Sequence, residues 1–128
     1  MCTFYLDTKG SLWVLLVMIT VVETTSFINS AKKLLSDKDR GDLITFLAAN
    51  QAEGEIMPRT GGLRKLRYAS KEGKGKSGGS RVIYFYCNDK MPLFVMAVYE
   101  KSRQDNLTHE QEKVFYNLVK QLKKEYGQ

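Results

Sequence analysis

Histidine, cysteine and proline are scarce in this chain, which has one histidine, two cysteines and two prolines among its 128 residues. So few imidazole and thiol groups make a metal centre of the zinc-finger kind improbable, and we expect neither a metal nor a cofactor. Cys2 and Cys87 are too few to form a disulfide framework, so they are expected to be free thiols in a reducing compartment, which predicts a cytoplasmic protein. His109 falls in the first turn of the last predicted helix, where a solvated side chain is expected.

A long hydrophobic run is also missing. Residues 12–22 are apolar at ten of eleven positions, but a helix that crosses a membrane needs about 20 apolar residues. The first ten residues carry Asp7 against Lys9, which is unlike the positive start of a secretory signal. We therefore predict that translation starts at Met18, that residues 1–17 are either a mis-assigned extension or a loose tail, and that residues 18–128 form one domain.

Hydrophobic periodicity predicts the element order β, α, α, three strands, α, which defines an α+β fold. A β-branched run opens the fold over residues 18–22, and apolar residues at helical spacing follow it. Ser36 with Asp39 has the spacing of a helix start, and the helix that follows has a predicted stripe of Leu43, Ile44 and Leu47. The three strands are predicted over residues 63–69, 80–87 and 93–99.

The last helix is predicted to begin at Thr108, because Thr108 and Gln111 have the spacing of a capping box. Its apolar residues recur every three or four positions, which is typical of a helix that packs against a sheet. Val114, Leu118 and Leu122 are predicted to lie on one face of this helix, with Phe115, Val119 and Tyr126 alongside.

Positive charge is concentrated in one stretch. Residues 59–81 contain eight basic residues and one acidic residue, whereas the other 105 positions carry 12 basic and 13 acidic residues. A field concentrated in this way favours a polyanionic partner, above all nucleic acid, because clustered Lys and Arg release the counterions of its phosphates.

Strand alternation predicts which of these cations act together. Lys65 and Arg67 share one face of their strand, and Arg81 shares a face of the next strand with Ile83 and Phe85. If the hairpin pairs these faces, three cations converge on one spot of the sheet.

Two segments of this region, Thr60-Gly61-Gly62-Leu63-Arg64-Lys65-Leu66-Arg67 and Lys74-Gly75-Lys76-Ser77-Gly78-Gly79-Ser80-Arg81-Val82-Ile83-Tyr84, resemble the RelE/HigB family of bacterial toxins. The resemblance extends from Met18 to near the C-terminus. It implies a small α+β fold with a twisted, mainly antiparallel sheet, two N-terminal helices and a C-terminal helix. It also implies that the chain cleaves mRNA in the ribosomal A site, without a metal, and is silenced by an antitoxin that often carries a helix-turn-helix domain.

Attack of a 2′-hydroxyl on phosphorus requires a base, stabilisation of negative charge and a proton for the leaving oxygen. Lys65 lies among like charges, which would lower its pKa, so it is the expected base. Arg81 can bind two phosphate oxygens at once and is the expected clamp on the transition state.

The resemblance also assigns catalytic positions to Arg67 and, late in the chain, to Lys101. The family's C-terminal tyrosine has no counterpart between Asn106 and Phe115; Tyr84 or Tyr99 takes its place, or the function is absent. Contacts to messenger or ribosomal RNA are expected from a further set of basic residues, namely Arg59, Arg64, Lys71, Lys74 and Lys76.

Two alternatives remain open at this stage. One is a noncatalytic RNA-binding module whose basic hairpin docks on a phosphate backbone, and the other is an inactive relic of such a toxin. In the noncatalytic module the loop lysines would matter as much as Arg81, whereas in a nuclease Arg81 would dominate.

Overall fold

The computed structural model describes residues 2–6, 13–17, 19–69, 79–101 and 107–128. Lys71, Lys74 and Lys76, which follow the predicted strand over residues 63–69, lie outside these ranges. The elements in chain order are β1 (Cys2–Leu6), β2 (Trp13–Val17), β3 (Val21–Glu23), α1 (Thr25–Leu34), α2 (Asp37–Ala49), β4 (Glu55–Ile56), β5 (Leu63–Tyr68), β6 (Ser80–Phe85), β7 (Leu93–Glu100) and α3 (His109–Glu125).

Five strands form one mixed sheet in the order β3-β7-β6-β5-β4. β3 runs parallel to β7, and the other neighbours are antiparallel, which confirms the expected mainly antiparallel sheet. β6 lies in the centre and every residue in it is buried. β1 and β2 pair with each other in a separate two-stranded sheet. The interpretation of residues 1–17 as an extension or tail remains a prediction.

Alternating side chains of the sheet supply two hydrophobic cores, one on each face. On one face α1 and α2 contribute Phe27, Ala31, Leu43 and Leu47, which pack with Val82 and other inward residues of the strands. On the other face α3 covers the sheet with its own apolar residues, Phe115, Val119 and Leu122. None of the helices in the described part of the chain is long and apolar enough to cross a membrane.

The predicted helix starts at Ser36 and Thr108 are confirmed. The Ser36 hydroxyl accepts a hydrogen bond from the backbone N–H of Asp39 at 3.0 Å. Thr108 and Gln111 form the reciprocal bonds of a capping box, with donor–acceptor distances of 3.1 and 3.0 Å. These bonds satisfy N–H groups that the first turn of a helix leaves without a partner.

Other expectations need correction. Val114 is 62% exposed, so the buried stripe of α3 is formed by Phe115, Val119 and Leu122, and Leu118 is half-buried. The edge strand β4 was not predicted, because a two-residue strand has no periodicity of its own. The antiparallel pair of β1 and β2 was not predicted either. The opening strand begins at Val21 rather than Met18, and β6 ends at Phe85 rather than Cys87.

Candidate functional site

The register of three adjacent strands brings several predicted site residues together. Arg67 on β5 lies directly opposite Arg81 on β6, and Arg81 lies opposite Tyr99 on β7. Lys65 is opposite Ile83, two residues further along the same face. Directly opposed residues project to the same side of a sheet, so the expected convergence of Lys65, Arg67 and Arg81 is confirmed.

The three cations differ in their exposure, and this difference follows from their strands. Arg81 is only 7% exposed because β6 has a neighbour on each side and α3 packs over the same face. Lys65 is half-buried and Arg67 is exposed, since β5 lies next to the edge strand. Burial limits the conformations of the Arg81 side chain, so its guanidinium is held in place for contact with an anion.

A cleft of about 420 Å³ lies beside these cations and is lined by Glu53, Glu55, Lys65, Leu66, Arg67 and Arg81. Glu53 and Glu55 are the charged members of this set that sequence reasoning missed. Glu55 is exposed and lies on β4 directly opposite Lys65, and both residues line the cleft. The signal was absent from the sequence because β4 is two residues long and follows a turn.

Tyr84 lies on the opposite face of the sheet from Arg81 and is fully buried. Its hydroxyl donates a hydrogen bond to the carbonyl oxygen of Gln51 at 2.9 Å and accepts one from the N–H of Gly54 at 2.8 Å. Burial raises the pKa of the Tyr84 phenol above its usual value. The catalytic role expected for Tyr84 is therefore replaced by a structural one.

Arg64 has a similar role in the same region. One guanidinium nitrogen donates to the carbonyl oxygens of Gly54 at 2.8 Å and of Ala52 at 3.2 Å. Arg64 and Tyr84 thus hold the turn that leads into β4, instead of facing RNA as expected for Arg64. The two side chains thereby keep Glu55 in register with Lys65.

Of the two tyrosines weighed as substitutes for the family's C-terminal tyrosine, Tyr99 is the one beside Arg81. It is 9% exposed and projects to the same face of the sheet. Lys101 directly follows β7, is exposed, and its N–H donates to the carbonyl oxygen of Gly79 at 3.4 Å. Lys101 thus lies just beyond the strand end, two positions after Tyr99.

Histidine is absent from this cluster, as the sequence predicted. The His109 side chain is fully exposed on the first turn of α3, and its Nδ1 lies 3.8 Å from a carboxylate oxygen of Glu112. Within the described ranges no group of three or more His, Cys, Asp or Glu residues could hold a metal ion. The ionisable groups that line the cleft are the carboxylates of Glu53 and Glu55, the amine of Lys65 and the guanidinium groups of Arg67 and Arg81.

Comparison with known proteins defines the class of this protein as the toxin component of a toxin–antitoxin system. Residues 19–127 match the family described as the RelE toxin of the RelE/RelB toxin–antitoxin system. The match covers most of the chain, so the chain belongs to the RelE toxin family and its α+β fold is that of the family. A solved structure of the E. coli toxin RelE, an arginine-to-alanine double mutant in the free state, is similar with 14% identity and a TM-score of 0.47, over 69% of this chain and 88% of that one.

Proposed function

We propose that this toxin is an endoribonuclease that cuts mRNA in the A site of the translating ribosome, in the cytoplasm, and so inhibits translation. The observation that carries the proposal is the cleft in which Lys65, Arg67 and Arg81 converge beside Glu55. Three cations on adjacent strands match the charge of one phosphodiester and its neighbours, and membership of the RelE toxin family supports a target in translation.

In the proposed reaction the 2′-oxygen of one nucleotide bonds to the adjacent phosphorus, and the bond from phosphorus to the 5′-oxygen of the next nucleotide breaks. The products are a 2′,3′-cyclic phosphate and a 5′-hydroxyl end. Negative charge builds up on the phosphoryl oxygens in the transition state, where Arg81 and Arg67 stabilise it. Arg81 suits this role because its guanidinium can donate two parallel hydrogen bonds.

Two protons must move in this reaction, and the structure supplies two candidates side by side. A carboxylate offers only acceptor oxygens, whereas the lysine side chain offers N–H donors. Glu55 is therefore assigned to accept the proton of the 2′-hydroxyl, and Lys65 to donate a proton to the leaving 5′-oxygen. This assignment reverses the role expected for Lys65 as the base, and the reason is the carboxylate that β4 sets opposite it.

The proposal includes two partners beside mRNA. The loop lysines Lys71, Lys74 and Lys76 grip ribosomal RNA, and Lys101 contributes from just beyond the end of β7. A cognate antitoxin, as the family implies, silences the toxin, and we propose that it carries a helix-turn-helix domain.

Reconstituted translation of a reporter mRNA tests the function. The parent chain should produce cuts in register with the reading frame, with 5′-hydroxyl ends, only when ribosomes are present. Arg81→Ala should lower the rate by about a hundredfold to a thousandfold, as expected when one transition-state donor is removed. Lys90→Ala, a charge-matched change in the exposed turn before β7, should leave the rate unchanged.

The pH dependence of the cleavage rate tests the proton roles of Glu55 and Lys65. Glu55→Gln should lower the rate and remove the acidic limb of the pH–rate profile, whereas Lys65→Met should remove the basic limb. A profile in which Lys65→Met alone removes the acidic limb would restore Lys65 as the base. If the parent chain cuts nothing but binds RNA in a salt-sensitive way, the protein is a noncatalytic RNA-binding module or an inactive relic.

A further inference from the structure

The cleft beside Arg81 does not end at Lys65. A second cleft of about 220 Å³ shares Glu55 and Lys65 with it, and continues along residues 56–59 to Glu112 on α3. A third cleft of about 330 Å³, the outer cleft, shares Arg59 and Glu112 with the second cleft. It is completed by His109, Lys113 and Tyr116. Shared walls join the three clefts into one surface groove that leads from Arg81 to the outer side of α3.

Arg59 lines both the second and the third cleft, and it lies on a turn that hydrogen bonds of Thr60 stabilise. Its backbone has φ of 62°, the left-handed region that residues other than glycine seldom adopt. The buried Thr60 hydroxyl donates to the carbonyl oxygen of Met57 at 2.7 Å and accepts from the N–H of Leu63 at 3.1 Å. These bonds fix the direction in which the turn presents the exposed Arg59.

Tyr116 forms the aromatic wall of the outer cleft. The ring is 39% exposed, and it lies against the same turn, because a Cβ added to Gly61 would come within 3.5 Å of a ring carbon. Lys120 lies over the ring at 5.6 Å from its centroid. The ring thus lies between the Gly61 turn and solvent, and the flexible Lys120 side chain covers part of its exposed surface.

The outer cleft has the composition of a binding site for a nucleotide of a single strand. Arg59, Lys113 and Lys120 contribute three positive charges, and Glu112 contributes one negative charge that lies 3.8 Å from His109. Proteins that bind single-stranded nucleic acid combine such cations with aromatic rings on which bases stack. Because the groove is continuous with the Arg81 cleft, a strand bound there can extend into the outer cleft.

We propose that the outer cleft of Arg59, Lys113 and Tyr116 is a nucleotide subsite that binds an RNA strand next to the position of cleavage. A base stacks on Tyr116, and the adjoining phosphate contacts Arg59 and Lys113. This inference rests on the proposed function for the meaning of the Arg81 cleft, but the binding of RNA along the groove can be measured without any cleavage.

The test uses the full chain and two fluorescent 2′-O-methyl RNA oligonucleotides, a trinucleotide and a dodecanucleotide, whose binding is measured by anisotropy. The methyl group removes the attacking hydroxyl, so neither probe can be cut. Tyr116→Ala should weaken binding of the dodecanucleotide by about fivefold to a hundredfold, the range expected for one lost stacking contact. Tyr116→Phe keeps the ring and should bind within about twofold of the parent chain.

Two further variants separate the contributions. Arg59→Gly removes the guanidinium without straining the turn, because glycine accepts positive φ freely, and it should reduce the salt slope of binding by about 0.7. Val114→Ala is the matched control, since Val114 is exposed on α3 but does not line the groove. It should bind both probes like the parent chain.

The inference is overturned if Tyr116→Ala binds the dodecanucleotide like the parent, or if Tyr116→Phe loses as much affinity as Tyr116→Ala. The urea midpoint of each variant shows whether it is folded. If Tyr116→Ala unfolds, the binding of RNA by Tyr116→Phe and Arg59→Gly still tests the subsite. Cleavage in the translation assay is scored separately. If cleavage depends on Arg81 but Tyr116→Ala does not change RNA binding, the subsite proposal alone is refuted. If RNA binding depends on Tyr116 but the parent chain does not cut mRNA, the proposed nuclease function alone is refuted.

Discussion

Tyr84→Phe tests whether Tyr84 supports the fold instead of acting on RNA. The substitution removes one oxygen atom from a fully buried side chain and leaves its packing unchanged. The hydroxyl makes two hydrogen bonds, to the carbonyl oxygen of Gln51 at 2.9 Å and from the N–H of Gly54 at 2.8 Å. Gly54 is itself buried, so its N–H would lose its partner away from water.

The expected cost follows from these two bonds. A buried donor left without a partner costs about 1–3 kcal/mol, and the lost bond to the Gln51 carbonyl adds about 1 kcal/mol. We expect Tyr84→Phe to lower the free energy of unfolding by about 2–4 kcal/mol. In urea, with a slope of about 1–3 kcal/mol per molar, the midpoint should fall by about 1 M or more with an unchanged slope.

Tyr86→Phe is the matched control, because Tyr86 is half-buried on the same face and its hydroxyl makes no hydrogen bond with any residue that the structure describes. It should change the free energy of unfolding by less than about 0.5 kcal/mol. A loss of under about 0.5 kcal/mol for Tyr84→Phe as well would refute the argument that the hydroxyl holds the turn before β4.

The pH dependence gives a second check on Tyr84. Burial raises the pKa of its phenol above the usual value of 10.0, so the folded protein keeps a proton that the unfolded chain releases. The stability from this group is therefore complete below pH 10 and is lost as the pH rises through the folded-state pKa. The parent chain should lose stability above pH 10 more steeply than Tyr84→Phe, and equal slopes would contradict the assignment.

Two other substitutions probe the packing that places the site. Gly54→Ala should destabilise the fold by about 1–3 kcal/mol, because the new Cβ would lie 2.8 Å from the buried Tyr84 ring and hydroxyl and 3.1 Å from the carbonyl oxygen of Lys65; a thermal midpoint equal to that of the parent would show that the turn can move aside. Leu122→Ala should cost about 2–5 kcal/mol as a buried truncation, whereas Val114→Ala should cost less than about 0.5 kcal/mol. Urea denaturation compares the two, and similar costs would contradict the corrected buried stripe of α3.

Local sequence patterns predicted much of the fold because the interactions behind them are local. Ser36 and Thr108 bond to N–H groups three residues away, so their identity and spacing are enough to locate the starts of α2 and α3. β6 and β7 are mainly apolar runs bounded by turn residues, and the predicted bounds of all three central strands lie within two residues of those observed. Strand alternation also predicts that Tyr84 lies on the face opposite Arg81, and the structure confirms this. Alternation therefore argues against Tyr84 as a substitute for the C-terminal tyrosine of the family.

The error in α3 has a different cause. Val114, Leu118 and Leu122 have perfect helical spacing, and so do Phe115, Val119 and Leu122. Which of two adjacent apolar stripes faces the core depends on how the helix is rotated against the sheet. That rotation is decided by packing against residues far away in sequence, such as Ile83 and Phe85.

The sequence by itself determined the element order, the concentration of positive charge and the sharing of one strand face by Lys65 and Arg67. These properties depend on residue identity and on separations of two to four positions. Tertiary structure alone decided that Arg81 lies opposite Arg67 on that face, that Glu55 lies opposite Lys65, that Tyr84 and Arg64 hold the turn before β4, and that Arg59 and Tyr116 line one cleft. Each of these depends on strand register or on helix packing, in which residues distant along the chain meet because burying the two cores brings them together.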